Sequence, residues 1–288
     1  MPTTLLQSVQ VIDAASEWHG QSVDALLENG KLAKIAAAGE LSPNQADRVV
    51  SDAEYLSTGW LGAGVELNTP GHEPRETLQN LSDAAQAGGF QSLITLPTCT
   101  PTLDTAENLL AIQHRSNTLP VDFHFLATLT KSRQGERMAP IAELSAAGAI
   151  GFCDGASDIA DTSLLVRLLQ YTQLVDGLVV ITPQDAALAA EGLVNESENT
   201  VALGMTGIPP VAEAIAIERA LRLLEYTGGR LHLSNISTAE GVALIRAAKA
   251  RGLHLTADTA VPYLYHSDDE LHSFDANLKL FPPLRTGA

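Results

Sequence analysis

The chain has 288 residues, 45% hydrophobic and 5% aromatic, with 34 Asp and Glu against 17 Lys and Arg and a formal net charge of −17. That length holds one large core plus a satellite domain, and that charge opposes binding to nucleic acid or to an anionic membrane. No apolar run approaches the ~20 residues of a membrane span, the N-terminus has no leader pattern, and Cys99 and Cys153 make no disulfide framework, so the expected setting is a reducing cytoplasm.

Residues 1–57 read as a small β-rich domain of β-sandwich type. "LLQSVQVID" (5–13) and "SVDALLENGKLAKIAA" (22–37) are strand-like, and Asn29-Gly30 splits the second run into a hairpin, because both positions tolerate positive φ. The segment is too short to bury a core alone.

From residue 58 onward strands and helices alternate. "WLGAGVEL" is a strand and "RETLQNLSDAAQAGG" a helix; "SLITLPT" and "TAENLLAIQHRS" follow, then "VDFHFLATLT" and "MAPIAELSAAGA". "AIGFCDG" precedes "TSLLVRLLQYTQ", and "GLVVITP" precedes the long helix "PVAEAIAIERALRLLEYTGG", whose Val211, Ile215, Leu221 and Leu224 are spaced for one buried face. "GRLHLSNIS" is a strand. "TAEGVALIRAAKARG" is a helix opened by a capping box of Ser237 and Glu240 and closed at Gly252. "LHLTADTAV" is the seventh strand. Apolar strands alternating with helices predict an α/β fold with a parallel sheet covered on both faces. A closed (β/α) barrel and an open doubly wound sheet both fit.

The sequence has no G-x-G-x-x-G at a helix start and no G-x-x-x-x-G-K-[ST], so a nucleotide site has no direct support. In a barrel the chemistry collects at the C-terminal ends of the strands. The positions to inspect there are Gly64, Glu66, Asn68, Thr98, Cys99, Thr128, Asp154, Thr182, Asn235 and Asp258.

Six segments occur in an order that resembles the dihydroorotases and related cyclic amidohydrolases of the amidohydrolase superfamily. "PGHEPRETL" with "AAQAGGF" (70–90) resembles "PG-x-E-x-K-E" with "AAAGGFT"; "LPTCTP" (96–101) is similar to "MPNTxP"; "GAIGFCDG" (148–155) to the "AFSDDG" segment. "VAEAIAIERALRLLEYTGGRLHLSNIST" (211–238) is similar to "xAE…R…LA…TGxxLHxxHVST", "AKARGLHLTADTAVPYL" (248–264) to "AKxxGxxVTxEVTPHHL", and "DANLKLFPPLR" (275–285) to "xxNxKVNPPLR". The resemblance implies a TIM-like (β/α) barrel and zinc-assisted opening or closing of a cyclic amide, with a first-strand His-x-His pair among the ligands.

Carried over residue by residue, the resemblance implies a degenerate site. The first-strand histidines correspond to Gly64 and Glu66, and the substrate arginine to Asn68. The asparagine of "MPNT" corresponds to Thr98, the fifth-strand histidine to Thr182, the sixth-strand ligand histidine to Asn235, and the asparagine before "PPLR" to Phe281. Asp154 alone keeps its residue type, and His232 survives as a non-ligand histidine. Glu66 and Asp154 are the remaining candidates for a metal, too few for a zinc site, which takes about three or four protein ligands. His124 and His232 read as hydrogen-bonded barrel histidines, His72 as surface, and Cys99 and Cys153 as core packing.

The resemblance also implies an eighth strand, to which no segment of residues 58–288 corresponds. The strands at either side of that position are expected to be covered by further chain, by another protein or by an out-of-place segment. The expected function is a non-catalytic dihydroorotase-like protein of pyrimidine biosynthesis, binding no zinc. Its expected partners are aspartate transcarbamoylase, an active dihydroorotase or a further copy of itself, with no nucleic acid and no membrane. The alternative is an active cyclic-amide hydrolase with an atypical site of Glu66, Asp154, Asn235 and Asp258. A fold-only relative with another small ligand is a third reading.

Overall fold

The computed structural model describes residues 2–287. The chain divides into two compact units after Trp60.

The first unit is a single sheet built around β1 (Thr3–Ile12), with β2 (Ser22–Glu28), β3 (Lys31–Ala37), β4 (Arg48–Val50) and β5 (Tyr55–Ser57). β1–β2 and β2–β3 are antiparallel, while β4 and β5 run parallel to the two halves of β1. Asn29 (φ 54°) and Gly30 (φ 74°) form the hairpin turn read from the sequence. Asp24 is fully buried on β2 and accepts hydrogen bonds from the backbone N–H groups of Ser8, Gly39 and Leu41, at 3.0, 2.8 and 3.2 Å. It supplies acceptors that the irregular backbone there lacks.

The second unit alternates strand and helix: β6 (Trp60–Glu66), α1 (Leu78–Ala87), β7 (Phe90–Leu96), α2 (Ala106–Ser116), β8 (Asp122–Ala127), α3 (Ile141–Ala146), β9 (Gly151–Phe152), α4 (Thr162–Gln173) and β10 (Val179–Ile181). A small insertion of α5 (Ala186–Ala189), β11 (Val194–Asn195), α6 (Glu198–Ala202) and β12 (Gly207–Ile208) follows. Then come α7 (Val211–Thr227), β13 (Leu231–Leu233), α8 (Ala239–Ala250) and β14 (Leu255–Ala257). Thr77, Thr105, Asp161 and Thr238 cap α1, α2, α4 and α8 by accepting from N–H groups of the first turn.

Seven strands form one sheet in the order β14-β13-β10-β9-β8-β7-β6, a half-barrel of the TIM type. The pairs from β7 to β14 are parallel. β6 and β14 are its two edges and do not pair with each other; a cleft between them is lined by Leu61, Gly64, Leu81, Asn235, Asp258 and Val261.

Two local expectations change. Val211 and Ile215 are exposed, at 45% and 42%, whereas Ala212, Ala216, Ala220, Ile217, Leu221 and Leu224 are buried on α7. Leu221 and Leu224 are on the buried face as expected, and the small side chains beside them let α7 lie close to α4 and α8, so alanines share the inner face with Ile217, Leu221 and Leu224. The start of α8 is also not a Ser237–Glu240 box. Thr238 is the cap, and Ser237 instead donates its hydroxyl to the fully buried Glu213 of α7. Glu213 accepts from Ser237 and Thr238 N–H groups and the Thr238 hydroxyl as well, which ties α7 to the start of α8.

The C-terminal segment crosses the second unit in short 3-10 turns and ends in the buried Pro282, Pro283 and Leu284. Arg285 donates to Asn195 of β11 (2.8 Å) and to the Ser237 hydroxyl (3.0 Å), while Asn195 donates to the buried Asp268 (3.2 Å). This network anchors the insertion to the segment after β14.

Candidate functional site

The C-terminal ends of the parallel strands hold the site positions. At the end of β6, Gly64 adopts φ +73° and lies in open space. Glu66 is exposed, and Asn68 is half-buried with its carbonyl accepting from the His72 N–H at 2.8 Å. After β7, the Thr98 hydroxyl accepts from the Leu67 N–H at 2.8 Å and donates to the Leu67 carbonyl at 3.1 Å. Thr98 thus fastens the end of β7 to the end of β6.

Asp154 follows β9 and is 2% exposed. One of its oxygens accepts from the N–H groups of Leu129 and Thr130, at 2.9 and 3.0 Å, and the other from the Thr130 hydroxyl. Burial pushes its carboxyl above the ordinary value, opposed by those hydrogen bonds and by the charge of Arg133. Thr182, after β10, is buried at 3% exposure.

On the far side of the sheet, Asn235 takes a left-handed conformation (φ 58°) and its N–H donates to Asp258 at 2.6 Å. Asp258 also meets His232 Nε2 at 3.0 Å and accepts from the Ser234 hydroxyl at 3.1 and 3.3 Å. Burial acts to raise the Asp258 carboxyl, but the hydrogen bonds from His232, Asn235 and Ser234 outweigh it and hold the group below its usual value. The Nδ1 of His232 faces the Thr256 hydroxyl at 2.7 Å. Ser, His and Asp meet here without forming a nucleophilic triad, because the serine hydroxyl bonds the carboxylate and the two imidazole nitrogens face Asp258 and Thr256, leaving none for the serine.

The structure therefore brings Gly64, Asn235 and Asp258 to one cleft and sets Asp154 and Thr98 farther along the row of strand ends. Phe281, 49% exposed, lies in the C-terminal segment. His232 is hydrogen-bonded as expected; His124, on the middle of β8, is instead exposed and makes no side-chain hydrogen bond among the described residues. Its neighbours on β8 alternate around it, and the strand period turns its ring outward from the packed core.

A feature that the motif positions do not contain is Arg133. It sits in the loop after β8 with φ 56°, next to Ser132 with φ 53°. Left-handed conformations cost a non-glycine residue about 1–2 kcal/mol each. The loop is held by Lys131 N–H to Arg137 carbonyl (2.8 Å), Ala139 N–H to Leu129 carbonyl (2.9 Å), Ser132 N–H to Asp104 (3.0 Å) and Gly135 N–H to the Thr130 hydroxyl (2.9 Å). The signal in the sequence is "KSRQGER" (131–137), three cations within seven residues of an acidic chain. Buried polar groups without a partner also occur just past strand ends: the Thr128 hydroxyl after β8 and the Gln184 amide after β10.

The donor set does not fit a zinc ion. Among the described residues no group of three or more His, Cys, Asp or Glu is placed to hold a metal. Both oxygens of Asp154 are taken by hydrogen bonds. Burial pushes the Cys99 thiol up to about 11 and the Cys153 thiol up to about 12, so neither is the thiolate that binds metal near neutral pH. Both cysteines are buried, at 2% and 0% exposure, in apolar clusters.

A family model described as dihydro-orotase-like matches residues 55–241. The chain is 35% identical to the dihydroorotase of Syntrophus aciditrophicus over 98% of its length and 66% of that protein's. It is 32% identical to the dihydroorotase of Carboxydothermus hydrogenoformans over 92% of its length and 61% of that protein's. The L-hydantoinase (dihydropyrimidinase) of Arthrobacter aurescens superimposes with a TM-score of 0.81 at 22% identity, covering 100% of this chain and 64% of that one, a likeness of fold. The chain thus spans less than two thirds of the length of these proteins.

Proposed function

The chain belongs to the dihydro-orotase-like family of the amidohydrolase superfamily, and from that premise we propose that it is a non-catalytic member, a structural or regulatory protein of pyrimidine biosynthesis. The observation that carries this reading is the donor set at the strand ends. A hydrolytic metal needs about three protein ligands and an open coordination position. Here Gly64 has no donor atom, Thr182 and Asn235 are poor zinc ligands, and Asp154 is spent on Leu129 and Thr130.

Gly64, Glu66, Asn68, Thr98, Thr182, Asn235 and Phe281 are then positions at which the site has decayed, with Asp154 retained for packing. The proposed partners are aspartate transcarbamoylase, an active dihydroorotase or a second copy of this chain, in the cytoplasm. The unpaired edges β6 and β14 support a role in association. No helix among the described residues is long and apolar enough to cross a membrane.

Metal analysis of protein purified without chelator, together with an assay of dihydroorotate hydrolysis, tests the proposal. The expected result is far less than one zinc per chain and no turnover above buffer. Stoichiometric zinc with turnover would overturn it.

A further inference from the structure

We propose that the second unit carries a pocket for a small apolar monocarboxylate, formed between the insertion after β10 and the segment after β14. The inference goes beyond the non-catalytic reading and does not depend on it, because the pocket contains none of the strand-end positions. Three observations carry it.

The first is a cavity of about 200 Å³, lined by Leu193, Val194 and Met205 of the insertion and by Leu271, Leu278 and Leu284 of the C-terminal segment. An apolar cavity of ~150 Å³ stays dry and takes up benzene, so this one has room for a six-membered ring and a short arm. Val194, Leu271 and Leu284 are 8%, 8% and 1% exposed and form its floor. Leu193 and Phe274, 58% and 64% exposed, stand at its rim. The cavity is thus apolar in its depth and reachable from solvent.

The second is that its walls are held apart. Asn195, next to Val194, donates to Asp268 at 3.2 Å and accepts from Arg285, next to Leu284, at 2.8 Å. Asn199 of α6 donates to Asp269 at 2.7 Å. Hydrogen bonds one residue away from the lining side chains therefore set the spacing of the two walls, and apolar collapse does not close it. A void of this kind deprives its lining of the dispersion contacts of a packed core. A ligand of matching shape restores them in a site that is already formed.

The third is the charge at the rim. Lys279 lines the cavity and is exposed, and its ammonium makes no hydrogen bond and no ion pair among the described residues. Asp275, the carboxylate on the same wall, accepts from the Asn277 N–H and from the Asn277 side-chain amide, both at 2.9 Å. The other lining side chains carry no charge. A ligand with an apolar body in the depth and one carboxylate at the rim meets the ammonium there, whereas a second negative charge would stand beside Asp275. Phosphate, which takes several donors, finds one.

NMR of the full chain with isotope-labelled methionine methyls tests the proposal. Met205 reports on the cavity, and Met138, in the loop between β8 and α3, is the control. The probes are phenylacetate; phenylacetamide, the same ring and arm without the charge; and acetate, the charge without the ring. Phenylacetate is expected to shift the Met205 methyl saturably and to leave Met138 in place. Acetate is expected to bind at least about thirtyfold more weakly, the scale of burying one ring. Phenylacetamide is expected to bind about two- to fivefold more weakly at low salt, the scale of an exposed ion pair, and the difference should vanish in molar salt. Lys279→Gln should erase that difference, and Lys131→Gln, on the loop after β8, should keep it. Leu278→Trp fills the cavity and should abolish binding of both ring compounds. Leu193→Trp, at the rim, serves as a second variant should the first fail to fold, with melting curves as the check. No saturable shift at Met205, equal shifts at Met138, phenylacetamide binding as tightly as phenylacetate, or undiminished binding in the folded tryptophan variants would each overturn the assignment.

Discussion

Gly64 is the residue at which restoration of a metal ligand meets the backbone. Its φ of +73° is open to glycine and costs another residue about 1–2 kcal/mol. Gly64→His combined with Glu66→His is expected to lower stability and to give no dihydroorotate turnover; clear turnover by the double variant would show that the two histidines were all that was missing. Asp154→Ala removes a carboxylate that accepts three hydrogen bonds, leaving two buried N–H groups unpaired. A loss of about 2–4 kcal/mol is expected in chemical denaturation. A change under ~1 kcal/mol would mean that water replaces the carboxylate. Asp158 offers a titration test. Burial raises its carboxyl from 3.8 to about 6, against the pull of Arg219 at 2.6 Å. A raised carboxyl means that the folded state holds the proton more tightly, so the contribution is present below pH 3.8 and lost as pH rises through 6. Wild type should therefore lose stability relative to Asp158→Asn between pH 4 and 6, on the order of 3 kcal/mol for the full shift. A flat difference across that window would count against the buried pair.

At the scale of elements, α7 is where periodicity and packing part company. Leu221 and Leu224 lie on the buried face as their spacing suggests, but Val211 and Ile215 are exposed and alanines complete the inner face. Ala216→Leu is expected to cost about 1–3 kcal/mol by overpacking, while Val211→Ala, at an exposed position, should stay within about 0.5 kcal/mol. Denaturant midpoints measure both, and the reverse order would restore the face read from the larger residues. The strands were legible because short apolar runs ended at Gly, Pro or a capping residue. The insertion from α5 to β12 was not, since each of its elements is only two to five residues long and is held by the Asn195–Asp268 and Asn195–Arg285 bonds across the chain.

For the whole molecule, the open sheet is the dominant feature. β6 and β14 each present an unpaired edge, and Trp60, Leu61 and Val261 are exposed near them at 64%, 57% and 66%. Unpaired parallel edges beside apolar side chains invite association. The 288-residue chain is expected to show a mass above 30.4 kDa in light scattering at micromolar concentration, and Leu61→Lys to reduce that mass. A strictly monomeric wild type would remove the case for an interface at these edges.

The amino-acid order by itself determined the alternation of strand and helix, the Asn29-Gly30 hairpin and the family, because turn chemistry, hydrophobic period and ordered motifs are local properties. It also determined which residue types stand at the motif positions. What only the tertiary structure decided depends on residues far apart in sequence. Glu213 bonds to Ser237 and Thr238 across 24 and 25 positions, which turned an apparent capping serine into a tie between helices. Asp154 reached Leu129 and Thr130, across 25 and 24 positions, and ties the end of β9 to the loop after β8. Arg133, in the loop after β8, was carried next to Gly155 by two left-handed residues, a geometry that no spacing in the sequence encodes. Burial and the direction of a side chain follow from the packing of distant elements, and they set the chemistry of this site.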